Sequence, residues 1–462
     1  ATSQLARRPQ LAPGGAARLT AIAEALGREP GPAAALCDFV RAGDDLSAAR
    51  MRPYALADEW RADRRTTLQL FLRATRAGLL DFRWELVCPH CRGATAAQQT
   101  LVNVAAEGHC PTCNADFTAN FDQSVELTFT PNPAIRSVPH IDYCVGGPQV
   151  TPHIVAQQFV PPGADRAIRL ALSSGRYRVR SPDVAEQHAF HVVTGAPASV
   201  RIDLAAKPLA EPRVAPDGEL VIANAAAAAR LAIVEHLAWS DQATTAAEVT
   251  SLQLFRDLFS SEVLRRGEKI SVGSITIVFT DLKNSTRLYQ EIGDAPAFGR
   301  VLTHFEILKA AVADEGGAIV KTMGDAIMAV FPRPVAALRA MDHARRWLAQ
   351  PGSFSLPAGV SVPPSSLKPL ALKAGLNCGP CLAINQNDRL DYFGSTVNFA
   401  ARLCSACTGT DLVLSTAFRS DPEVAAFLDR ADAGLHARPE RVTLRGFGET
   451  VFEVWRVSAN DG

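Results

Sequence analysis

The hydrophobic pattern changes its period along this chain, so neither one helical bundle nor one sheet can accommodate all of it. From about 16 to 77, apolar residues recur every three or four positions, as expected of helices. From 124 to 240, short alternating runs such as SVELTF and SVRIDL are separated by Pro, Gly and Asp, which is typical of antiparallel sheets. Because 462 residues also exceed what one hydrophobic core can hold, the sequence predicts several domains.

Composition argues against two classes of partner. The chain has 47 basic and 47 acidic residues, so net charge gives no reason to expect nucleic acid or an acidic membrane surface. No apolar run reaches the roughly 18 residues that span a bilayer, and the start ATSQLARRPQ lacks the pattern of a signal peptide. We therefore expect a cytoplasmic protein without membrane or nucleic-acid partners.

The first half leaves two interpretations open. Its helices, over 1–83, run into the strand-like LLDFRWELV, which fits a winged-helix unit as well as other small helical domains. Within the β-rich, sandwich-like segment over 124–240, polar residues around the loop CVGGPQVTPH either line a site or stabilise turns, the second being favoured. These residues are His140, Tyr143, Cys144 and His153.

Two CxxC pairs predict a zinc ribbon over 84–123. Cys88 and Cys91 form the first pair, and Cys110 and Cys113 form the second. Each pair places two thiolates on a tight turn, and four thiolates complete the tetrahedral shell of Zn²⁺. Since four cysteine ligands leave no open position, the zinc is expected to be structural and to help the segment fold. The alternative is four unliganded thiols.

A connecting helix is predicted within 241–269. Thr245 and Glu248 form a capping box, and apolar residues follow it at helical spacing. They are Val249, Leu252, Phe255, Leu258, Phe259 and Val263. Such a helix is the natural route for a signal between the first half of the chain and the last domain, over 270–462.

The last domain contains two carboxylates at positions that suit metal binding. SITIVFTD alternates like a strand and ends on Asp281, and a helix is expected to begin near Ser285. A carboxylate beside the free N–H groups of Ser285 and Thr286 suits Mg²⁺ and a triphosphate. AIVKTMGDAIMAVF predicts a β-hairpin with Asp325 in its turn. Each aspartate alone is more simply a turn or cap residue, whereas the two together suit a two-metal phosphoryl-transfer site.

Five motifs in this domain resemble those of class III nucleotidyl cyclases, in the same order and spacing. They lie within about 270–457 and read FTDLKNST, VKTMGDAIMAVF, KAGLNCGP, LDYFGSTVNFAARL and VTLRGFGETVFEVW. The resemblance implies a ferredoxin-like βαββαβ core within an α+β multidomain chain. It also implies an adenylate cyclase, a lyase that forms 3′,5′-cyclic AMP and pyrophosphate from ATP.

Stretches between about 35 and 239 resemble an uncharacterised module that precedes cyclase domains in bacteria. The matching pieces are WELVCPHCRG, HCPTC, VELTFTPNPAIR, YCVGGP and TPHIVAQQ. This resemblance implies a regulatory role, exerted through an unidentified ligand or protein.

The cyclase resemblance implies a metal site and a transition-state group. Asp281, Asp325 and the backbone carbonyl of Leu282 would hold two Mg²⁺ or Mn²⁺ ions. Asn398 would orient the ribose, and Arg402, one helical turn later, would stabilise charge on the α-phosphate.

Base selection is implied for Lys321 and Asp391, because a lysine donor and a carboxylate acceptor match N1 and N6 of adenine. Arg445 stands where relatives often have a lysine that contacts the triphosphate, and Asn377 where histidine is frequent. The resemblance further implies a head-to-tail homodimer in which one subunit supplies the metal carboxylates, and its partner the base and transition-state residues.

Other features and rival functions complete the expectations. Cys378, Cys381, Cys404 and Cys407 form a second set of CxxC pairs, for which buried thiols are favoured over a metal or redox site. A Pro/Ser/Gly-rich loop is expected over 350–369.

Two other functions are alternatives to a cyclase. The intact metal, base and transition-state residues argue against a nucleotide-binding regulator without turnover. The lack of a basic stripe argues against a nucleic-acid-binding protein.

Overall fold

The computed structural model describes residues 9–27, 32–89, 93–111, 115–139, 154–181, 187–206, 211–236, 242–350, 369–430 and 434–459. The loop residues His140, Tyr143, Cys144 and His153 lie outside the described residues, as do 351–368 of the predicted loop. No helix in the described ranges is both long and apolar enough to cross a bilayer.

Five helices precede the first strand in the described part of the chain. They are α1 (Gly15–Leu26), α2 (Pro32–Ala42), α3 (Asp45–Ala49), α4 (Pro53–Trp60) and α5 (Arg64–Arg76). Asp44 and Asp63 cap α3 and α5 by accepting hydrogen bonds from the backbone N–H groups of Ser47 and Thr66. The apolar side of α5 is buried at Leu68 and Phe71, as its helical periodicity predicts.

A small sheet follows these helices. Its elements are β1 (Leu80–Val87), β2 (Ala94–Gln98) and β5 (Val125–Pro131), and the separate hairpin β3 (Glu107–Cys110) and β4 (Ala115–Thr118) lies between β2 and β5 in the sequence. β5 pairs with β1 along seven residues, from Leu80 opposite Pro131 to Leu86 opposite Val125. The run SVELTF therefore joins the helical unit, although the alternating pattern groups it with the sandwich.

Strands after 153 form two sheets that share one core. The strands are β6 (Ile154–Val160), β7 (Ala164–Arg169), β8 (Gly175–Arg180), β9 (Gln187–Val192), β10 (Ser199–Asp203), β11 (Arg213–Val214), β12 (Glu219–Asn224) and β13 (Arg230–His236). One sheet has the order β10-β12-β7 and the other β11-β9-β8-β13-β6. Phe190 and Ile222, from opposite sheets, belong to the same buried cluster. Two strand pairs, β10 with β12 and β9 with β11, are parallel, so the sandwich is not wholly antiparallel.

The connection to the last domain is two short helices, α6 (Ala246–Thr250) and α7 (Gln253–Leu258). The Thr245 half of the predicted capping box is confirmed, because Thr245 Oγ1 accepts a hydrogen bond from Glu248 N at 3.3 Å. The carboxylate of Glu248 accepts instead from the hydroxyl of Tyr54. The predicted single helix is interrupted at Leu252, whose backbone is extended. Val249, Leu252 and Phe255, which lie before, at and after this break, are all buried.

The last domain is built around one mixed sheet. Its elements are β14 (Lys269–Leu282), α8 (Ser285–Ile292), α9 (Asp294–Asp314), β15 (Ala318–Met323), β16 (Ala326–Phe331), α10 (Pro334–Ala349), β17 (Leu372–Gln386), β18 (Arg389–Phe393), α11 (Ser395–Ala406), β19 (Leu412–Ser415), α12 (Thr416–Arg419), α13 (Pro422–Leu428), β20 (Leu435–Thr443) and β21 (Val451–Ala459). The sheet order is β15-β16-β14-β17-β19-β21-β20, and β18 also pairs with β17. The series β14-α9-β15-β16-α10-β17 is the expected βαββαβ core.

Both faces of this sheet are covered. Neighbouring residues of a strand point to opposite faces, so Val278 packs with the cluster that contains α9 and α10. Ile277 packs on the other face with α6, α7 and the start of α11. The connecting helices therefore lie directly against the sheet of the last domain.

Candidate active site

Two carboxylates meet at one end of the central strands. Asp281 lies near the end of β14, and Asp325 lies in the turn between β15 and β16, where Gly324 has a positive φ of 65°. The pKa of Asp281 is raised, mainly because the carboxyl is partly buried and also because Asp325 carries a negative charge nearby. Lys373 Nζ is 4.0 Å from Asp281 Oδ2. Asp325 Oδ2 is buried without a hydrogen-bond donor from the described residues.

This pair has the properties of a divalent-cation site. Two neighbouring carboxylates, one with a buried oxygen that lacks a donor, gain favourable interactions when a hard cation binds between them. Leu282, the third predicted ligand, directly follows Asp281 and is buried in the pairing of β14 with β17. Among the described residues, no group of three or more His, Cys, Asp or Glu side chains is arranged to hold a metal.

The first turn of α8 lies next to these carboxylates in the sequence. Asn284 adopts a left-handed conformation with φ of 60°, which asparagine tolerates better than most residues. It turns the chain from β14 into α8, which begins at the predicted Ser285. The backbone N–H groups of Ser285 and Thr286 belong to the first turn, where helix geometry supplies no acceptor. They are available to bind phosphate oxygens.

The two predicted base-recognition residues lie together. Lys321 of β15 places Nζ 2.6 Å from Oδ2 of Asp391 in β18. The other oxygen of Asp391 accepts a hydrogen bond from Tyr392 N at 2.8 Å. Asp391 is buried, whereas the Lys321 side chain is about one-third exposed. The pair thus combines a fixed acceptor with an accessible donor.

Asn398 and Arg402 both lie on the exposed side of α11. The helix can approach β17 closely because Gly375 has no side chain: a Cβ there would be 2.1 Å from Cys404 N. Asn377 donates a hydrogen bond to the carbonyl of Thr396 at 3.0 Å and so holds the first turn of α11 on the sheet. Sequence reasoning gave Asn377 no chemistry, and only this contact reveals its structural role.

Arg445 is exposed after β20, in the segment that leads to β21. The next residue, Gly446, has φ of 94°, and a Cβ there would be 3.8 Å from the guanidinium of Arg402. The segment with Arg445 therefore lies beside α11, on the side that carries Arg402.

Sequence reasoning also missed His304 of α9. It is fully buried, and burial lowers its pKa to about 4, although the charge of Asp325 acts in the opposite direction. No motif marks this histidine, because it lies in an ordinary amphipathic helix.

The cysteine predictions have different outcomes. Cys88 and Cys110 are buried in one small cluster with Phe117, while Cys91 and Cys113 lie outside the described residues. The four-cysteine zinc site therefore stays a prediction. In the second set, burial raises the pKa of Cys378 to about 11 and of Cys381 to about 12. Cys381, Cys404 and Cys407 are buried, Cys378 is partly exposed, and none of the four forms a disulfide with a described residue. The preference for plain thiols over a metal or redox site stays a prediction.

Comparison with known proteins identifies the family of two segments. Residues 268–452 match the adenylate and guanylate cyclase catalytic domain, and residues 17–143 match a family of unknown function, DUF5939. The chain therefore carries a class III cyclase catalytic domain preceded by a DUF5939 module. The second match includes α2 to α5 and all of β1 to β5, in agreement with the pairing of β5 with β1.

Individual relatives cover the catalytic part. An adenylate cyclase of Lachancea kluyveri is 34% identical over 36% of this chain and 10% of its own length. An uncharacterized protein of Mycobacterium tuberculosis is 33% identical over 31% of this chain and 33% of its own length. The chain thus spans about a tenth of that adenylate cyclase.

Among solved structures, the catalytic core of a rhodopsin-guanylyl cyclase with converted specificity, in complex with ATPalphaS, is 20% identical. It covers 42% of this chain and 99% of its own, with a TM-score of 0.33.

Proposed function

We propose that this chain is an adenylate cyclase that converts ATP to 3′,5′-cyclic AMP and pyrophosphate. The observation that carries the proposal is the pairing of Lys321 with Asp391 in a domain that also brings Asp281 against Asp325. The first pair suits an adenine ring, and the second suits the cations that accompany a triphosphate.

Asp281, Asp325 and the carbonyl of Leu282 would hold two Mg²⁺ or Mn²⁺ ions. Bound there, the cations make the ribose 3′-OH more acidic and neutralise charge on the phosphates. The raised pKa of Asp281 and the Asp325 oxygen without a donor both support this assignment.

Adenine selection follows from the direction of the hydrogen bonds. The ammonium of Lys321 donates to N1 of adenine, and the Asp391 carboxylate accepts from the N6 amino group. Guanine presents a donor at N1 and an acceptor at O6, so it would place donor against donor and acceptor against acceptor. The short Lys321–Asp391 contact keeps both groups at one place before the base arrives.

The remaining groups act on the ribose and phosphates. Asn398 would orient the ribose so that its 3′ oxygen faces the α-phosphorus in line with the leaving pyrophosphate. Arg402 would donate to the α-phosphate oxygens as negative charge accumulates there. The N–H groups of Ser285 and Thr286, together with Arg445, would bind the other phosphates.

Two copies of the chain are proposed to share each site, and the first half is proposed to regulate it. The exposure of Asn398 and Arg402 on α11 is compatible with action across a subunit interface. The packing of α6 and α7 between the first half and the catalytic sheet supports regulation. A structural zinc ion at Cys88, Cys91, Cys110 and Cys113 is proposed to stabilise the module.

The test is product formation by the full chain. Incubation with ATP and Mn²⁺ should yield cyclic AMP and pyrophosphate in equal amounts, and GTP should be the poorer substrate by kcat/KM. A chain that binds ATP, shown by calorimetry, but forms no cyclic nucleotide with Mg²⁺ or Mn²⁺ would instead be a nucleotide-binding regulator.

A further inference from the structure

We propose that Thr250 and Arg256 of the connecting helices are positioning residues for base recognition, and that they couple the DUF5939 module to the choice and affinity of the nucleotide base. The inference rests on the proposed function, because it assigns regulation to the same site. It concerns β18, the strand that carries Asp391.

The connecting helices hold the residues on both sides of Asp391. Arg256 Nη1 donates to the carbonyl of Leu390 at 3.0 Å, and its guanidinium lies 5.7 Å from the ring centre of Tyr392. The hydroxyls of Thr250 and Tyr392 are 3.0 Å apart. Asp391 is therefore fixed between two neighbours that α6 and α7 contact directly.

These contacts are buried and depend on each other. Thr250 is fully buried and Tyr392 almost so. Arg256 Nε also donates to the carbonyl of Thr250 at 2.7 Å, which ties the two positioning residues together across the break at Leu252. A buried hydroxyl or guanidinium that loses its partner is strongly unfavourable, so β18 is expected to follow α6 and α7 when they move.

The other side of the connecting helices is held by the first half of the chain. Glu248 accepts a hydrogen bond from the hydroxyl of Tyr54 in α4. Leu127 N, in β5, donates to the carbonyl of Thr244 at 2.8 Å, just before α6. The module therefore contacts the connecting segment at Thr244 and Glu248, and Thr250 of the same segment contacts Tyr392 in β18.

A cavity of about 570 Å³ gives α7 room to shift. It is lined by Gln253, Arg256 and Phe259 from the connecting segment and by Lys321 and Leu390 from the catalytic domain. Because Lys321 borders the cavity and pairs with Asp391, a displaced α7 alters both base-recognition groups together. Base affinity and selectivity are thus expected to change before the chemical step does.

The test uses matched variants of the full chain. Thr250→Val keeps the shape of the side chain and removes its hydroxyl, whereas Thr250→Ser keeps the hydroxyl. Arg256→Lys keeps the charge but loses the planar donor array. The control is Arg266→Ala, which removes an exposed arginine that precedes β14 and pairs with Asp388 at the tip of the β17–β18 hairpin.

We expect Thr250→Val and Arg256→Lys to raise the KM for ATP about tenfold and to lower the ATP:GTP ratio of kcat/KM by a similar factor, with kcat within about twofold. Thr250→Ser keeps the hydroxyl and should therefore have the wild-type KM and ATP:GTP ratio. Arg266→Ala should also change neither value. Unchanged KM and selectivity in an active enzyme would overturn the proposal, as would an equal loss of kcat for ATP and GTP.

Hydrogen exchange separates this inference from the proposed function. Without nucleotide, Thr250→Val and Arg256→Lys should speed amide exchange in 389–393 and leave 326–331 unchanged. If the wild-type chain makes no cyclic nucleotide, the proposed function fails, and the exchange result alone decides the positioning role. Equal exchange in variant and wild type would then overturn it.

Discussion

Lys321 and Asp391 are 70 positions apart in the chain, yet Nζ of one lies 2.6 Å from Oδ2 of the other. The contact joins β15, at one edge of the catalytic sheet, to β18, whose pairing partner among the described strands is β17. A lysine donor and an aspartate acceptor held at this distance can recognise two adjacent positions on one edge of a purine. Base selection is therefore the property on which this structure makes the sharpest predictions.

Exchange of the two base-recognition residues should redirect the enzyme. Lys321→Glu together with Asp391→Cys replaces the donor by an acceptor and removes the carboxylate that repels O6 of guanine. The ATP:GTP ratio of kcat/KM should fall by at least about a hundredfold, in line with the cost of unpaired polar groups at a specificity site. Steady-state kinetics with both nucleotides measure this ratio. An unchanged ratio contradicts the assignment of Lys321 and Asp391 to base recognition.

The catalytic domain could be predicted largely from sequence, because its chemistry lies in local motifs. Asp281 ends an alternating strand, and Asp325 sits in a glycine turn, so each position follows from nearby residues. The shared role of Lys321 and Asp391 in base recognition is implied only by the family resemblance, and their contact is visible only in the structure, since no local pattern joins residues that far apart. No sequence pattern predicts the contacts of Thr250 and Arg256 with β18.

The first half was harder to predict for a physical reason. Glu126 and Thr128 alternate with apolar residues in SVELTF, as in a strand with one face in water. In the structure both are buried with polar partners. Arg50 and Arg52 donate to Glu126 at 3.0 and 2.6 Å and neutralise it, and the hydroxyl of Thr128 donates to Glu85 at 2.9 Å. A pattern of polar residues cannot distinguish exposure to solvent from buried polar partners, so the alternating pattern assigns β5 to the sandwich although it pairs with β1.

Removal of either metal carboxylate should abolish turnover without unfolding the chain. Asp281→Asn and Asp325→Asn keep the shape of the side chain and remove one negative charge, so the variants should keep the wild-type melting temperature. Their kcat should fall below about 1% of wild type with Mg²⁺ or Mn²⁺.

Asp388→Asn is the matched control for the carboxylates, because Asp388 is an exposed aspartate of the same sheet that pairs only with Arg266 among the described residues. It should retain full activity. More than a tenth of wild-type activity in either Asp281→Asn or Asp325→Asn contradicts the metal assignment.

Metal analysis tests the zinc prediction. The purified 462-residue chain should contain about one zinc ion, and a double variant, Cys88→Ser with Cys91→Ser, should contain none and lose helical signal. The double variant Cys378→Ser with Cys381→Ser is the control and should keep its zinc, since those thiols belong to the catalytic sheet. Full zinc content in the first variant rules out the four-cysteine site.

Acid should weaken the sandwich through Glu235. Burial raises the pKa of this carboxyl, but the hydrogen bond and charge of Arg180 and the charge of Arg178 outweigh burial and lower the pKa overall. A carboxyl with a lowered folded pKa stabilises the fold above its unfolded pKa, here 4.5, and this contribution is lost as the pH falls further.

Glu235→Gln should therefore destabilise the sandwich by about 3 kcal/mol at pH 7, because both arginines lose a buried partner. The difference from wild type should shrink below pH 4.5. Amide exchange of β8 and β13, followed at several pH values, measures this loss of stability. Glu211→Gln, which breaks an exposed pair with Arg176, is the control and should have no measurable effect. A difference that stays constant with pH contradicts the ion-pair explanation.

Subunit mixing tests whether two chains share each active site. In the proposed dimer, one subunit supplies Asp281 and Asp325, and its partner supplies Lys321, Asp391, Asn398 and Arg402. Lys321 and Asp325 then serve opposite sites although they belong to one hairpin. Asp325→Ala and Arg402→Ala should each be inactive, since every site in either homodimer lacks one required group.

Mixing these two inactive variants should restore activity if the sites are shared. After subunit exchange at equal concentrations, about half of the dimers contain one chain of each kind, and each such dimer has one site with both groups and one with neither. Activity should therefore recover to about a quarter of wild type. Two differently tagged copies of Asp325→Ala provide the control, because their exchange creates no complete site. If co-purification of the tags proves exchange and the Asp325→Ala and Arg402→Ala mixture stays inactive, each chain must instead hold a whole site or none.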